Sequence, residues 1–221
     1  MTDQREALTI DVVSDVVCPW CYLGKRRLER ALAKEGEPVQ VRWRPYQLDP
    51  TIPTGGLDRQ TYMRNKFGDD GRLEQVHERL RGLGAEEGIA YAFDKIERSP
   101  NTLDAHRLIR WAAERGVQDV VVERLFSLYF EQGRDIGDRK LLVDVARDAG
   151  MDAASVERRL AEGTDERAVR QEIAQAQSLG VTGVPFFIFA SRFGVPGAQS
   201  AEVLASAFER ARDSLAGIET A

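Results

Sequence analysis

Hydrophobic and polar positions change period twice along this chain. Leu8, Ile10 and Val12 alternate with Thr9 and Asp11, and Val39, Val41 and Trp43 alternate with Gln40, Arg42 and Arg44. Period two is the signature of a strand. Between these runs, from Tyr22 to Lys34, Leu23, Leu28, Ala31 and Leu32 form an apolar stripe opposite Lys25, Arg26, Glu29 and Arg30, as in a helix. A strand–helix–strand unit of this kind closes into a parallel pair. After Pro45 the pattern breaks. Asp49-Pro50-Thr51-Ile52-Pro53-Thr54-Gly55-Gly56 is rich in turn residues and reads as a loop or linker.

From about Asp58 to Leu179 the pattern is helical. The expected helices are Asp70–Gly82, Thr102–Arg115 with Asn101 or Thr102 as N-cap, Val120–Gln132, Asp138–Ala149, Ala153–Ala161 and Asp165–Leu179. The chain then returns to strand. Val184–Ala190 is a continuous apolar run, Ser191-Arg192 reads as a two-residue turn, and Phe193–Val195 is its hairpin partner. A last helix, Ser200–Leu215, turns Val203, Leu204, Ala207, Phe208 and Ala211 inward. The order is βαβ, a long helical stretch, then ββα.

The 221 residues suffice for one large or two small domains, and 43% hydrophobic and 30% charged residues are those of a water-soluble globular protein. A net charge of −5 without a Lys/Arg stripe argues against nucleic-acid binding. No run approaches the length needed to cross a bilayer, and the polar start Met1–Glu6 lacks the apolar core of a secretory signal. The expectation is a cytoplasmic protein with no membrane partner.

The chemistry concentrates at Cys18-Pro19-Trp20-Cys21, which holds the only two cysteines. The motif sits between the first strand and the first helix. There the unpaired N–H groups and the positive end of the helix dipole favour a thiolate. In a reducing compartment such a pair is a redox dithiol rather than a structural staple. Zinc would need about four ligands, yet there is no second CxxC, and His77 and His106 lack metal-site spacing.

Strand–CxxC–helix–strand followed by ββα is the layout of the thioredoxin fold. It places a cis-proline at the start of the third core strand, and Val184-Pro185 fits that position. Val184 would then pair with an extended substrate beside the cysteines. Cys18, at the exposed start of the helix, is the expected nucleophile. Cys21, one turn inside, is the expected resolving thiol. Trp20 brings no charge to the motif and is expected to shape the substrate surface. Trp43 and Trp111 read as core, and His106, flanking an apolar helix face, reads as a satisfied structural histidine.

Three segments resemble the DsbA-like FrnE family of thiol oxidoreductases: Ser14-Asp15-Val16-Val17-Cys18-Pro19-Trp20-Cys21-Tyr22-Leu23-Gly24, Pro100-Asn101-Thr102-Leu103-Asp104-Ala105-His106-Arg107, and Gly180-Val181-Thr182-Gly183-Val184-Pro185-Phe186-Phe187. The resemblance runs through nearly the whole chain. It implies an α/β thioredoxin fold, residues 1–57 and 181–221, with a large all-helical domain, residues 58–180, inserted between its halves. The implied activity is thiol–disulfide exchange through Cys18 and Cys21, with Pro19, Trp20, Val184, Pro185 and Asn101 on the substrate side. No metal or cofactor is implied beyond the dithiol. Glutathione enters as a candidate reductant or co-substrate, protein disulfides or small thiols as partners, and a homodimer as a candidate assembly. The 2-hydroxychromene-2-carboxylate isomerases and kappa-class glutathione transferases are similar in layout but carry serine where Cys18 stands. The alternative function is therefore a glutathione-dependent isomerase or transferase acting on an aromatic or polyketide-like molecule. Trp20 stands where DsbA itself has histidine.

Overall fold

The computed structural model describes residues 8–33 and 38–219, with side chains to residue 215. The polar start Met1–Glu6 and Lys34, the expected end of the first helix, lie outside the described residues. In chain order the elements are β1 (Leu8–Ser14), α1 (Pro19–Leu32), β2 (Val39–Pro45), β3 (Leu57–Asp58), α2 (Arg59–Phe67), α3 (Arg72–Glu86), a single 3₁₀ turn (Phe93–Lys95) and β4 (Arg98–Ser99). Then follow α4 (Leu103–Ala113), α5 (Gln118–Phe130), α6 (Arg139–Asp148), α7 (Ala153–Ala161), α8 (Glu166–Ser178), β5 (Phe186–Phe189), β6 (Phe193–Pro196) and α9 (Ala201–Glu219).

The main sheet has the order β2-β1-β5-β6. β1 runs parallel to β2, with Leu8 opposite Val39 and Val12 opposite Trp43, and antiparallel to β5. β1 is one of the two inner strands, with β5, and is buried along nearly its whole length. This includes Asp11, which the alternation had suggested as a solvent-facing position. Its carboxylate is met on the neighbouring strand by Arg42, at 3.0 and 3.1 Å, and by Arg44, at 2.7 Å. A carboxylate so paired sits inside without leaving an unmatched charge.

α1 packs against α9, and α4, α5 and α8 reach β2. One hydrophobic cluster joins Ile10, Leu23 and Phe187 of the sheet region to Leu108, Phe126 and Leu142 of the helical stretch. α1 departs from its expected amphipathic pattern. Lys25 belongs to the polar face of the sequence pattern, yet it is 1% exposed because α5 covers that face. Its ammonium meets Asp119 and Glu123, each at 3.1 Å, and Glu29. Burial alone would lower the Lys25 pKa. Asp119, Glu29 and Glu123 outweigh it and hold the charge above the ordinary lysine range.

Other departures have local causes. The helix expected to end at Gly82 runs through Gly82 and Gly84 to Glu86, because Gly84 lets the Tyr91 ring close over the helix; a Cβ there would lie 2.6 Å from that ring. α2 and the short β3–β4 pair were not separately visible in the sequence. α2 buries none of its side chains, so it has no apolar stripe to read. The hairpin turn sits one residue earlier than expected. Ala190 and Ser191 both have positive φ, and the Arg192 N–H donates to the Phe189 carbonyl at 2.9 Å. Left-handed φ at both central residues matches the twist of a tight hairpin.

Candidate active site

Cys18 is the N-cap residue of α1 and Pro19 its first helical residue. Proline suits that place, since its missing N–H would have had no helical partner. The Cys18 N–H donates to Asp15 O at 2.9 Å, and the Cys21 N–H to Cys18 O at 3.0 Å, so the motif is wound tightly around the helix start. Tyr91 fastens it from outside by donating its hydroxyl to Pro19 O at 2.6 Å. Tyr22, next in the chain, is stacked on Phe126 of α5 at 5.0 Å. The turn carrying the cysteines is thereby clamped between the sheet and the helical stretch.

Both cysteines are free thiols, and both are buried. Cys18 was expected at an exposed position but is 4% exposed. Its thiol donates to the Val184 carbonyl at 3.5 Å, and the Val184–Pro185 peptide bond is cis. The carbonyl of Val184 thus accepts from the thiol, and Val184 lines the same cavity as Cys18. Pro185 faces away from the opening: its ring packs over Gly24 of α1, where a Cβ would lie 3.0 Å from Pro185 Cγ. Burial pushes the Cys21 thiol well above the usual cysteine range, and Cys18 beside it adds to the rise. Ser14 and the backbone of Asp15 pull the other way.

Cys18 opens on a cavity of about 640 Å³, inside the range of small-molecule sites. Pro19, Trp20 and Val184 line it beside the thiol, and α2 and α3 form the opposite wall. Leu48, Phe67 and Val76 are among the few large hydrophobic residues left exposed, at 41%, 45% and 41%, and all three line this cavity. Apolar surface gathered around one opening marks a ligand site more than an ordinary surface. Set into the apolar wall are Arg59, Lys66 and Arg72, with the acidic residues Asp15 and Asp49 also in the lining. Arg59 donates to the Tyr129 hydroxyl at 3.1 Å and Lys66 to that of Tyr62 at 2.8 Å. Arg72 pairs with Asp70. His77, stacked on Phe93 at 4.0 Å, is held below the usual histidine range by burial and by Arg59 nearby. Among the described residues no group of three or more His, Cys, Asp or Glu side chains is placed to hold a metal ion, and no helix is long and apolar enough to cross a membrane.

The model of the DSBA-like thioredoxin domain matches residues 9–209. The chain belongs to this family. It is 30% identical over 203 residues to the uncharacterized protein YwbO of Bacillus subtilis, covering 91% of this chain and 94% of that protein. Its structure is similar to that of a probable DsbA oxidoreductase from Streptomyces coelicolor, at 34% identity and a TM-score of 0.85, covering 93% and 90% of the two chains. More distant neighbours share the fold: the cytosolic disulfide reductase DsbM of Pseudomonas aeruginosa solved with glutathione (17% identity, TM-score 0.62, 97% and 100% covered), and a 2-hydroxychromene-2-carboxylate isomerase (18%, 0.69, 95% and 98%).

Within this DsbA-like frame, Cys18, Pro19, Trp20 and Val184 meet at one opening, with Cys21 and Pro185 behind it. Asn101, named on the substrate side by resemblance, does not line the cavity. Its amide donates to Ile52 O at 2.6 Å, and its oxygen accepts from Leu103 N at 2.9 Å and from Gln47 at 3.2 Å. Its side chain thereby ties the first N–H of α4, one residue beyond the N-cap Thr102, to the turn-rich loop. Sequence reasoning missed Tyr91, Arg59 and the apolar wall of α2 and α3. They approach Cys18 only through tertiary packing, and no spacing in the chain announces them.

Proposed function

We propose that this protein is a thiol–disulfide oxidoreductase whose substrate is a small organic disulfide or thiol with an apolar body and an anionic group. The observation that carries the reading is the nucleophile's setting: Cys18 at the N-cap of α1, buried, and opening on one apolar cavity with cations in its wall. Pocket size supports a small molecule. Burial does too, since a disulfide held within a folded protein surface would have to pass α2 and α3 to touch the sulfur. Small thiols such as glutathione are the candidate reductants; the DsbM neighbour from Pseudomonas aeruginosa was itself solved with glutathione. The reading needs no metal or cofactor beyond the dithiol. It takes residues 1–57 and 181–221 as the thioredoxin-like part and 58–180 as the helical insertion, and it suits the cytoplasm.

In the proposed cycle the Cys18 thiolate attacks one sulfur of the substrate disulfide, and the other sulfur leaves as a thiolate. Cys21 then attacks the Cys18 sulfur. The substrate's second half leaves with the electron pair, and the Cys18–Cys21 disulfide forms. Two electrons have passed to the substrate, and two external thiols restore the dithiol. Trp20 and the apolar wall hold the substrate's body; Arg59 and Lys66 attract its anionic group.

The test is turnover of a bis(nitrobenzoate) disulfide, aromatic and anionic, against insulin, with glutathione as reductant. Cys18→Ser is expected to abolish both reactions, and Cys21→Ser to accumulate mixed disulfides visible by mass spectrometry. Undiminished reduction by Cys18→Ser protein sinks the mechanism. Insulin turned over better than the aromatic disulfide sinks the small-substrate reading. The aromatic cavity wall also favours a second reading, a glutathione-dependent isomerase or transferase. Its turnover on an aromatic substrate would survive Cys21→Ser.

A further inference from the structure

The closing step of the exchange asks for something the substrate cavity does not supply. Cys21 must lose its proton before attacking, yet it is 1% exposed and does not line that cavity. Burial and the neighbouring Cys18 hold its thiol protonated, so a proton acceptor has to come to it.

Polar groups around a different opening meet this need. Ser14, the last residue of β1, lies beside Cys21 and interacts with its thiol, and its buried hydroxyl oxygen has no other polar side chain or backbone group as a partner. Ser14 lines a small void of about 10 Å³ together with Val16, Trp43, Arg44, His106, Ile109 and Val122. That volume is about what one water requires. His106 is 3% exposed and lies on α4. Its Nε2 faces Asp15 Oδ1 at 3.2 Å, while the other Asp15 oxygen accepts the Leu48 N–H at 2.8 Å. With Nε2–H given to the Asp15 carboxylate, Nδ1 is left as the acceptor. His106 also lines a second cleft, of about 230 Å³, with Arg44, Arg110, Glu114 and Glu172. That cleft shares no lining residue with the substrate cavity.

We propose that the Cys21 proton leaves through Ser14 and one water in the small void to His106, and from there to the second cleft, so that proton and substrate use separate openings. The proposal rests on the disulfide-exchange reading above. Its balance is simple: the Cys21 S–H bond breaks, the proton passes by way of His106 to solvent, the Cys18–Cys21 bond forms, and the substrate thiolate departs. Ser14 and His106 are positioning residues for that proton, and Asp15 fixes the imidazole. The charged groups facing His106 are Asp15 beyond β1, Arg44 of β2, Arg110 and Glu114 at the end of its own helix, and Glu172 of α8. Arg110 and Glu172 pair with each other, so the cleft keeps both signs of charge and does not drive the proton back.

Stopped-flow reaction of the reduced protein with the bis(nitrobenzoate) disulfide separates the steps. The first nitrobenzoate thiolate reports capture by Cys18, and the second reports closure by Cys21. Ser14→Ala and His106→Gln are expected to slow the second release by about tenfold or more near neutral pH. That is below the ~10²–10⁴-fold a positioned base contributes, because hydroxide still reaches the thiol slowly. The first release should stay within about twofold, and the deficit should shrink as pH rises toward the thiol's own titration. Closure at the unsubstituted rate in Ser14→Ala protein overturns the route, as does equal slowing of both releases or a deficit that ignores pH. Ser14→Ala decides the matter even where His106→Gln fails to fold. If the unsubstituted protein releases neither thiolate, the exchange reading itself fails, and that outcome is distinct from the loss of the route.

Discussion

Lys25 shows how far one side chain can depart from the pattern it helps to write. It stands on the polar face of α1 in sequence, yet it is covered and held by Asp119, Glu123 and Glu29. Removing one partner of a buried ion pair typically costs ~3–5 kcal/mol. Here the three carboxylates are 58%, 30% and 40% exposed, so water relieves part of the charge left behind. Lys25→Met is therefore expected to lose about 2 kcal/mol in urea unfolding, and a loss inside ~0.5 kcal/mol, the range of an ordinary surface change, rejects the network's importance. The sign with pH follows from the raised lysine value. The network's stabilisation is whole below the unfolded lysine value of about 10.4 and fades as pH rises through the higher folded value. The sequence could not reveal this, because the carboxylates of Asp119 and Glu123 come from a helix far along the chain. The cysteine pair was legible for the opposite reason: its chemistry depends on local spacing and on a strand-to-helix junction that the flanking periods mark out. The same local reading gave Cys18 an exposed place, and only the packing of the opposite wall buries it.

Element by element, what could be read was what carries a period. β1, β2 and the helices from α4 to α8 were found within a few residues, since the apolar positions of each recur with the period of its element. α2 was not, because it buries nothing, and β3 with β4 is too short for any alternation. The contact between α1 and β5 shows a finer constraint at Gly24. Alanine is favoured over glycine inside a helix by about 1 kcal/mol. At this position, however, the new Cβ would stand 3.0 Å from Pro185 Cγ and 3.2 Å from Phe187 Cζ, both stiff neighbours. Overpacking of that kind costs ~1–3 kcal/mol, so the steric term wins. Gly24→Ala is expected to be destabilised by about 1 kcal/mol net. Because Pro185 follows the residue whose carbonyl accepts the Cys18 thiol, capture of a disulfide by Cys18 should also slow. Gain of stability with unchanged capture, read by thermal melts and thiolate release, refutes the constraint.

At the scale of the whole molecule, the cavity is a boundary between unequal parts. One side is the tightly packed sheet and α1, joined through a single hydrophobic cluster to α4, α5 and α6. The other side is partly α2, which buries no side chain and makes its closest packing with the two short strands β3 and β4. A helix held this way opens more easily than the core, since little apolar burial is lost when it moves. This bears on how a substrate reaches a thiol that is 4% exposed. Backbone amides of 59–67 are therefore expected to exchange with deuterated water much faster than those of α4 and α5. Filling the cavity with an aromatic carboxylate should slow exchange in α2 while leaving α5 unchanged, because the ligand's apolar body gives α2 the burial it lacks. Equal protection of α2 and α5 in the free protein would mean that the wall is closed, and that substrate enters from the side of Leu48 and Trp20.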